Sequence, residues 1–315
     1  MFNADDNTSS YPNAKAVDSA IKSAAEREVQ NGSRKTKSDL IISITHDRLM
    51  SRIFSDGENS RWVLKGGNGL LARIPNARST KDIDVTTNSD SLEEAVAELI
   101  ELANRDLGDF FRFQFYERQA ILESDKQPGS MGTALIFNVY LGATERPKIK
   151  VDLVIKNTIP LQIEMIEPAS RVRIAKLASY NYRIWPIEYQ IAEKVAATLT
   201  KYASGESSRS RDLFDLLAIA QTQTINARRL SNALDTELIG RGLEIKQTFD
   251  YPASWWDLIN TNYSGSSFLV SFQQDTEVRA LLDRFLFPPT KTAVEYFWNP
   301  DTMEWATLRL NLPRD

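Results

Sequence analysis

Asp82 and Asp84 stand one residue apart in the segment DIDV, and a third aspartate, Asp152, lies in KVDLVI. Side chains alternate along a strand, so Asp82 and Asp84 share one face while Ile83 and Val85 share the other. Two carboxylates so placed repel each other and require something positive between them. Hard divalent cations such as Mg²⁺ take oxygen ligands and keep several waters, so three carboxylates plus substrate phosphates suffice to hold them. Two such ions about 3.5–4 Å apart activate an attacking oxygen and stabilise a leaving one in phosphoryl or nucleotidyl transfer. Upstream, Gly66-Gly67 lets backbone N–H groups approach phosphate, and the helix start behind it adds a favourable dipole. A DxD pair or a glycine turn alone is commonplace. The specific signal is their combination at this spacing.

The elements that must position these residues follow from periodicity. RWVLKGG reads as a short strand entering a glycine turn, NGLLARI as a brief helix, and DIDVTT (82–87) as a strand. SLEEAVAELIELANRDLG (91–108) is an amphipathic helix opened by a Ser91/Glu94 capping box. Strands are expected at 111–118, 134–142 and 148–156, and in the last of these Asp152 shares a face with Lys150. Ahead of this core, helices are expected at 14–30, stopped by Asn31-Gly32, and at 38–55, capped by Ser38-Asp39. Beyond Pro168 the chain turns helical, with helices at 186–204 and 208–223 and further ones near 225–237 and 275–286. The expected fold is therefore α+β (α/β), a mixed sheet flanked by helices and followed by a mainly helical C-terminal part. Its organisation is N-terminal helices over 1–60, a core over 61–165, and a helical domain over 166–315 that completes the active site.

Composition narrows the chemistry further. In 315 residues there is no cysteine and a single histidine, His46, so disulfides, thiolate sites, His-based metal sites and Ser-His-Asp catalysis drop out. Any catalysis rests on carboxylates, Lys, Arg and hydroxyls. His46 itself reads as a packing or surface residue of the 38–55 helix. The polar, acidic start and the lack of a long apolar run lead to the expectation of a cytoplasmic protein with no membrane span. A net charge of −4 argues against polyanion binding by the whole surface but leaves room for a local basic patch.

The stretch KGGNGLLARIPNARSTKDIDV resembles the first motif of the nucleotidyltransferase superfamily with the DNA polymerase β-like fold. It is most similar to the AbiEii/MenA-type toxin family, whose pattern runs KGG and then R-x-T-x-D-[IL]-D. Lys65-Gly66-Gly67 and Arg78-Ser79-Thr80-Lys81-Asp82-Ile83-Asp84 match that pattern position by position. Asp152 matches the family's next strand, while Lys194 in IAEKVAA and the segment RDLFDLL (211–217) match its later hallmarks. The four blocks cover about 60–220. One departure is Gly67-Asn68, where many superfamily members carry Gly-Ser, which removes a hydroxyl contact to phosphate for which the Asn68 amide could substitute.

The resemblance implies transfer of a nucleoside monophosphate from an NTP, dependent on Mg²⁺ or Mn²⁺, with pyrophosphate leaving. In MenA-type toxins the acceptor is the 3′ end of tRNA, which blocks aminoacylation, and a separate antitoxin protein accompanies the enzyme. It assigns Asp82, Asp84 and Asp152 to the metals, with Asp152 helping to deprotonate the acceptor. Lys194 would neutralise the triphosphate, and Gly66, Gly67 and Asn68 would cradle it. Lys65, Arg78 and Thr80 fall among the nucleotide-binding positions, and Arg211 with Asp212 would complete the far wall. Asp82→Ala or Lys194→Ala should abolish transfer and leave the fold intact.

Blander readings exist for several of these residues. Lys194 beside Glu193 also suits a solvated helix face, and Asp212 and Asp215 suit residues that stabilise a helix start. For the acceptor, residues 171–211 carry eight Lys/Arg against three Glu, interleaved with Tyr180, Tyr182, Trp185 and Tyr189. Such a mixture suits a phosphate backbone and unpaired bases. A transferase of the same fold acting on a protein hydroxyl or a small molecule, or a non-catalytic nucleotide-binding module, are the alternatives.

Overall fold

A computed structural model describes residues 11–120, 131–156, 159–160, 162–200, 209–244, 248–289 and 294–307. The chain divides into two compact units, Met1–Trp185 and Pro186–Asp315.

The first unit begins with α1 (Ala14–Gln30) and α2 (Lys37–Ile53), followed by β1 (Val63–Leu64), α3 (Gly66–Arg73), β2 (Asp82–Thr87) and α4 (Leu92–Ala103). Three long strands come next, β3 (Phe111–Ala120), β4 (Met131–Leu141) and β5 (Thr144–Ile155), then two short ones, β6 (Glu164–Ile166) and β7 (Tyr182–Ile184). They form one seven-stranded sheet in the order β3-β4-β5-β2-β1-β7-β6. It is mixed: β2 runs parallel to β5 and β1 parallel to β7, while the other neighbours are antiparallel.

Alternation decides which face is buried. Ile83, Val85, Leu135, Phe137, Val139, Val151 and Leu153 form one core with Ile21, Ile44 and Leu49 of the N-terminal helices and Leu99 of α4. The intervening β2 and β5 residues, Asp82, Asp84, Lys150 and Asp152, are therefore left on the opposite face.

Two helix ends differ from expectation. Thr36 rather than Ser38 caps α2, in a capping box with Asp39, because the side chain at the N-cap must reach the third backbone N–H of the helix. At α4, Ser91 caps as expected, but Glu94 gives its carboxylate to Arg61 at 2.8 Å. A buried knot fastens α2 to the rest of the unit. Arg48 Nε and Arg52 Nη2 each donate to Asp109 at 2.7 Å, and Arg48 Nη1 donates to the Ala178 carbonyl. Burial pushes the Asp109 carboxyl up, but the two guanidiniums outweigh it and hold it below its ordinary range.

The second unit contains α5 (Ile187–Leu199), α6 (Ser210–Ala220), β8 (Ile225–Asn226), α7 (Ala227–Gly240), α8 (Ser254–Asn262), α9 (Asp275–Leu286), β9 (Tyr296–Asn299) and β10 (Glu304–Thr307). It is mainly helical, with a small sheet in the order β10-β9-β8 that the sequence reading did not contain. Trp298 anchors that sheet: its indole N–H donates to the Ala220 carbonyl at 2.6 Å, and its ring meets Phe285 edge-on. The end of the helix expected at 186–204 and the start of the one expected at 208–223 fall on 201–208, outside the described residues. Among the described residues, no helix is long and apolar enough to cross a membrane.

Candidate active site

The site is assembled by strand register. In the parallel β2–β5 pair, Asp84 lies opposite Asp152 and Asp82 opposite Lys150. Neighbouring strands run about 4.8 Å apart and paired residues point the same way, so three carboxylates and one ammonium crowd a single patch of sheet. All four side chains are partly open to solvent.

The glycine segment is docked against this patch through backbone groups. Lys65 N–H donates to the Asp84 carbonyl at 2.8 Å, and Asn68 Nδ2 donates to the Asp82 carbonyl at 2.7 Å. Asn68 is buried, so its amide braces β2 at the point where the helix meets the strand. Helix α3 starts at Gly66 itself rather than after the glycine pair, and no side chain caps it. Gly66 has φ +56, and a Cβ there would fall 2.0 Å from Asp84 Oδ2. A Cβ at Gly67 would fall 2.9 Å from Thr80 Cβ. Both glycines are thus required by close approach, and at Gly66 by left-handed backbone as well.

Thr80 and Arg78 sit half-buried on the loop entering β2, with Thr80 Oγ1 donating to the Asp82 carbonyl at 3.3 Å. Lys65 is buried, and its ammonium lies 4.6 Å from the centre of the Trp185 ring. Lys156 approaches the same ring at 5.0 Å. Trp185, 2 % exposed, is therefore a seat for two cations rather than an open platform for bases.

The positive charge demanded by the aspartates is supplied within the chain. Lys150 Nζ lies 2.9 Å from Asp152 Oδ2 and 4.0 Å from Asp82 Oδ2. Burial lowers the Lys150 pKa, but the hydrogen bond to Asp152 and the fields of Asp152, Asp82 and Asp84 outweigh it and leave the ammonium above its ordinary value. Among the described residues, no three His, Cys, Asp or Glu side chains are gathered so as to hold a metal ion. The donor types and their shared face still fit a hard divalent cation, since all three are carboxylates on adjoining strands beside a glycine-lined approach. In the sequence, the two-residue offset from Asp152 puts Lys150 on this face, and nothing there gives it a role.

His46 is buried in α2, and desolvation lowers its pKa to about 4, the field of Asp82 pulling the other way. It is a neutral packing residue near neutral pH, in keeping with one of the two readings made of it.

The second unit holds a cluster of its own. Lys194 Nζ on α5 donates to Asp212 Oδ1 at 2.9 Å and Asp215 Oδ2 at 2.6 Å, both on α6. Lys194 is buried, so it is not a solvated helix face, and the two aspartates do more than stabilise a helix start. Asp215, fully buried, was not a candidate, although its position three residues after Asp212 puts both on one side of α6. Arg211 is exposed at the start of the same helix.

Within the 171–185 part of the basic segment, several side chains already have partners. Arg171 pairs with Asp47 at 2.9 Å, Arg173 pairs with Glu167, and Tyr182 is buried with its hydroxyl donating to Asp47. Tyr180 and Tyr189 are partly exposed, and Lys201 lies outside the described residues.

Comparison with known proteins bears on the same elements. Residues 48–298 match the model of a family described as nucleotidyl transferase AbiEii toxin, type IV TA system. The fold is similar to that of MenT4, a nucleotidyltransferase toxin from Mycobacterium tuberculosis H37Rv. That similarity has a TM-score of 0.50 at 17 % identity and covers 84 % of this chain and 88 % of the other. JHP933 from Helicobacter pylori is similar with a TM-score of 0.44 at 15 % identity, over 77 % of this chain and 90 % of that one. No curated protein matches the sequence.

Proposed function

Since the chain belongs to the AbiEii nucleotidyl transferase toxin family, we propose that it transfers a nucleoside monophosphate from an NTP to the 3′ end of tRNA, with Mg²⁺ or Mn²⁺ as cofactor. The observation that carries this reading is the register of β2 and β5, which sets Asp82, Asp84 and Asp152 on one face beside the start of α3. Asp82, Asp84 and Asp152 would hold the divalent cation, which supplies charge stabilisation at the transferring phosphoryl group. The uncapped N–H groups of α3, brought close by Gly66 and Gly67, favour the triphosphate through hydrogen bonds and the helix dipole. Lys65, seated on Trp185, and Arg78 add positive charge in the same unit. The family resemblance adds Arg211 and Asp212 of the second unit to the reaction, while the Lys194 ammonium is held by Asp212 and Asp215.

In the transfer, the acceptor hydroxyl oxygen forms a bond to the α-phosphorus and the bond from that phosphorus to the bridging oxygen breaks. Pyrophosphate leaves, and Asp152 takes the hydroxyl proton. Such activity in a toxin would be held in check by a separate cognate antitoxin.

The test incubates the protein with Mg²⁺ and then Mn²⁺, each labelled NTP in turn and total tRNA, with Asp82→Ala in parallel. Label should enter tRNA with the wild type and fall at least about 10²-fold in the variant. Label entering protein would replace the tRNA assignment with a protein hydroxyl. No transfer from any NTP with either cation would defeat the reading.

A further inference from the structure

We propose that Lys150 is a displaceable counter-ion, whose ammonium pairs with the Asp82 and Asp152 carboxylates until a divalent cation takes over the same charge, the two positive groups excluding each other. The inference rests on the cation reading above and concerns what this chain does before the cation arrives. Its basis is geometric. Lys150 faces Asp82 across the β2–β5 pair and lies 2.9 Å from Asp152 Oδ2, on one of the three carboxylates that would hold a cation. A hard cation sits 2.0–2.6 Å from carboxylate oxygens, so an ammonium on the same oxygen would be a close like charge.

Lys150 can also leave. Its side chain is 38 % exposed, it ends a flexible four-carbon stem, and half-exposed ion pairs of this kind are weakly held. Lys148, two residues earlier on the same face, provides an internal contrast. Its ammonium lies 3.6 Å from the centre of the Tyr116 ring. It would contribute to the general field of the face without a share in the exchange.

Titration of the full chain with Mn²⁺, with free Mn²⁺ followed by electron paramagnetic resonance, separates the possibilities. Lys150→Met should bind Mn²⁺ about tenfold more tightly than wild type, while Lys148→Met stays within about twofold. Equal or weaker binding by Lys150→Met would overturn the proposal, since it would make Lys150 a bystander or a support for the bound cation. Equal tightening by Lys148→Met would overturn it too, because a general field would then account for the effect. Absence of Mn²⁺ binding in wild type and both variants would defeat the cation reading itself, whereas binding unaffected by Lys150→Met defeats only the exchange.

Discussion

Each unit of this protein sets one lysine among aspartates, and the two clusters differ chiefly in burial. Lys150 meets Asp152 on an open sheet face, with side chains 38 % and 22 % exposed. Lys194 meets Asp212 and Asp215 between two helices, with side chains 10 %, 12 % and 0 % exposed. The same chemical pairing therefore has two meanings. Water around Lys150 screens the attraction and offers both partners an alternative, so the contact can be exchanged. Around Lys194 there is little water to replace a lost partner, so the contact is fixed once α5 and α6 have packed.

The largest expected effect comes from breaking the buried cluster. Lys194→Met would take the shared ammonium from the buried Asp212 and Asp215 carboxylates and should destabilise the protein by about 3–5 kcal/mol, read by urea unfolding followed by tryptophan fluorescence. This replaces the expectation that removing Lys194 leaves the fold intact. A loss below about 1 kcal/mol would mean that the cluster is hydrated and that the contrast with Lys150 is false.

His46 sharpens the comparison from the first unit, because burial there overrides a nearby carboxylate. Its folded pKa of about 4 lies below the ordinary 6.5. The unfolded chain therefore takes up the proton first as pH falls, and folded stability is full above pH 6.5. It is lost progressively from 6.5 down to about 4, by roughly 3 kcal/mol at the lower end. The difference between the pH–stability profiles of wild type and His46→Gln isolates this contribution. Parallel profiles would show that His46 is solvated in the folded protein.

The smallest effect should come from the open cluster. Lys150→Met ought to change stability by no more than about 1 kcal/mol without divalent cations, and added salt should shrink the change. Thermal unfolding at two ionic strengths checks this. A loss as large as that of Lys194→Met would place Lys150 among the fixed contacts and remove its freedom to exchange.

Local signals served well where one element carries its own pattern. The Ala-rich run of α1 and its Asn31-Gly32 stop, the alternation of β2, and the Ser91 cap of α4 were all legible because neighbours in sequence settle them. Strands β6 and β7 were not, since three residues hold a strand conformation only through distant partners, here Arg183 opposite Met165 and Ile184 opposite Glu164. Trp185 lies in the sequence among the basic residues, as a base platform would, but the structure packs it beneath two lysines. Asp215 carried a helical spacing to Asp212 but no sign that Lys194 would be its partner.

By itself the sequence determined the chemistry available: carboxylates, lysines and a glycine approach, without thiols and with one histidine. It also determined that Asp82 and Asp84 share a face, because strand alternation is a property of a single chain segment. Tertiary structure alone decided that Asp152 would stand opposite Asp84 and Lys150 opposite Asp82. Register between strands far apart in sequence is set by which apolar face is buried, and a one-residue shift of either strand would send that strand's two charged side chains into the core.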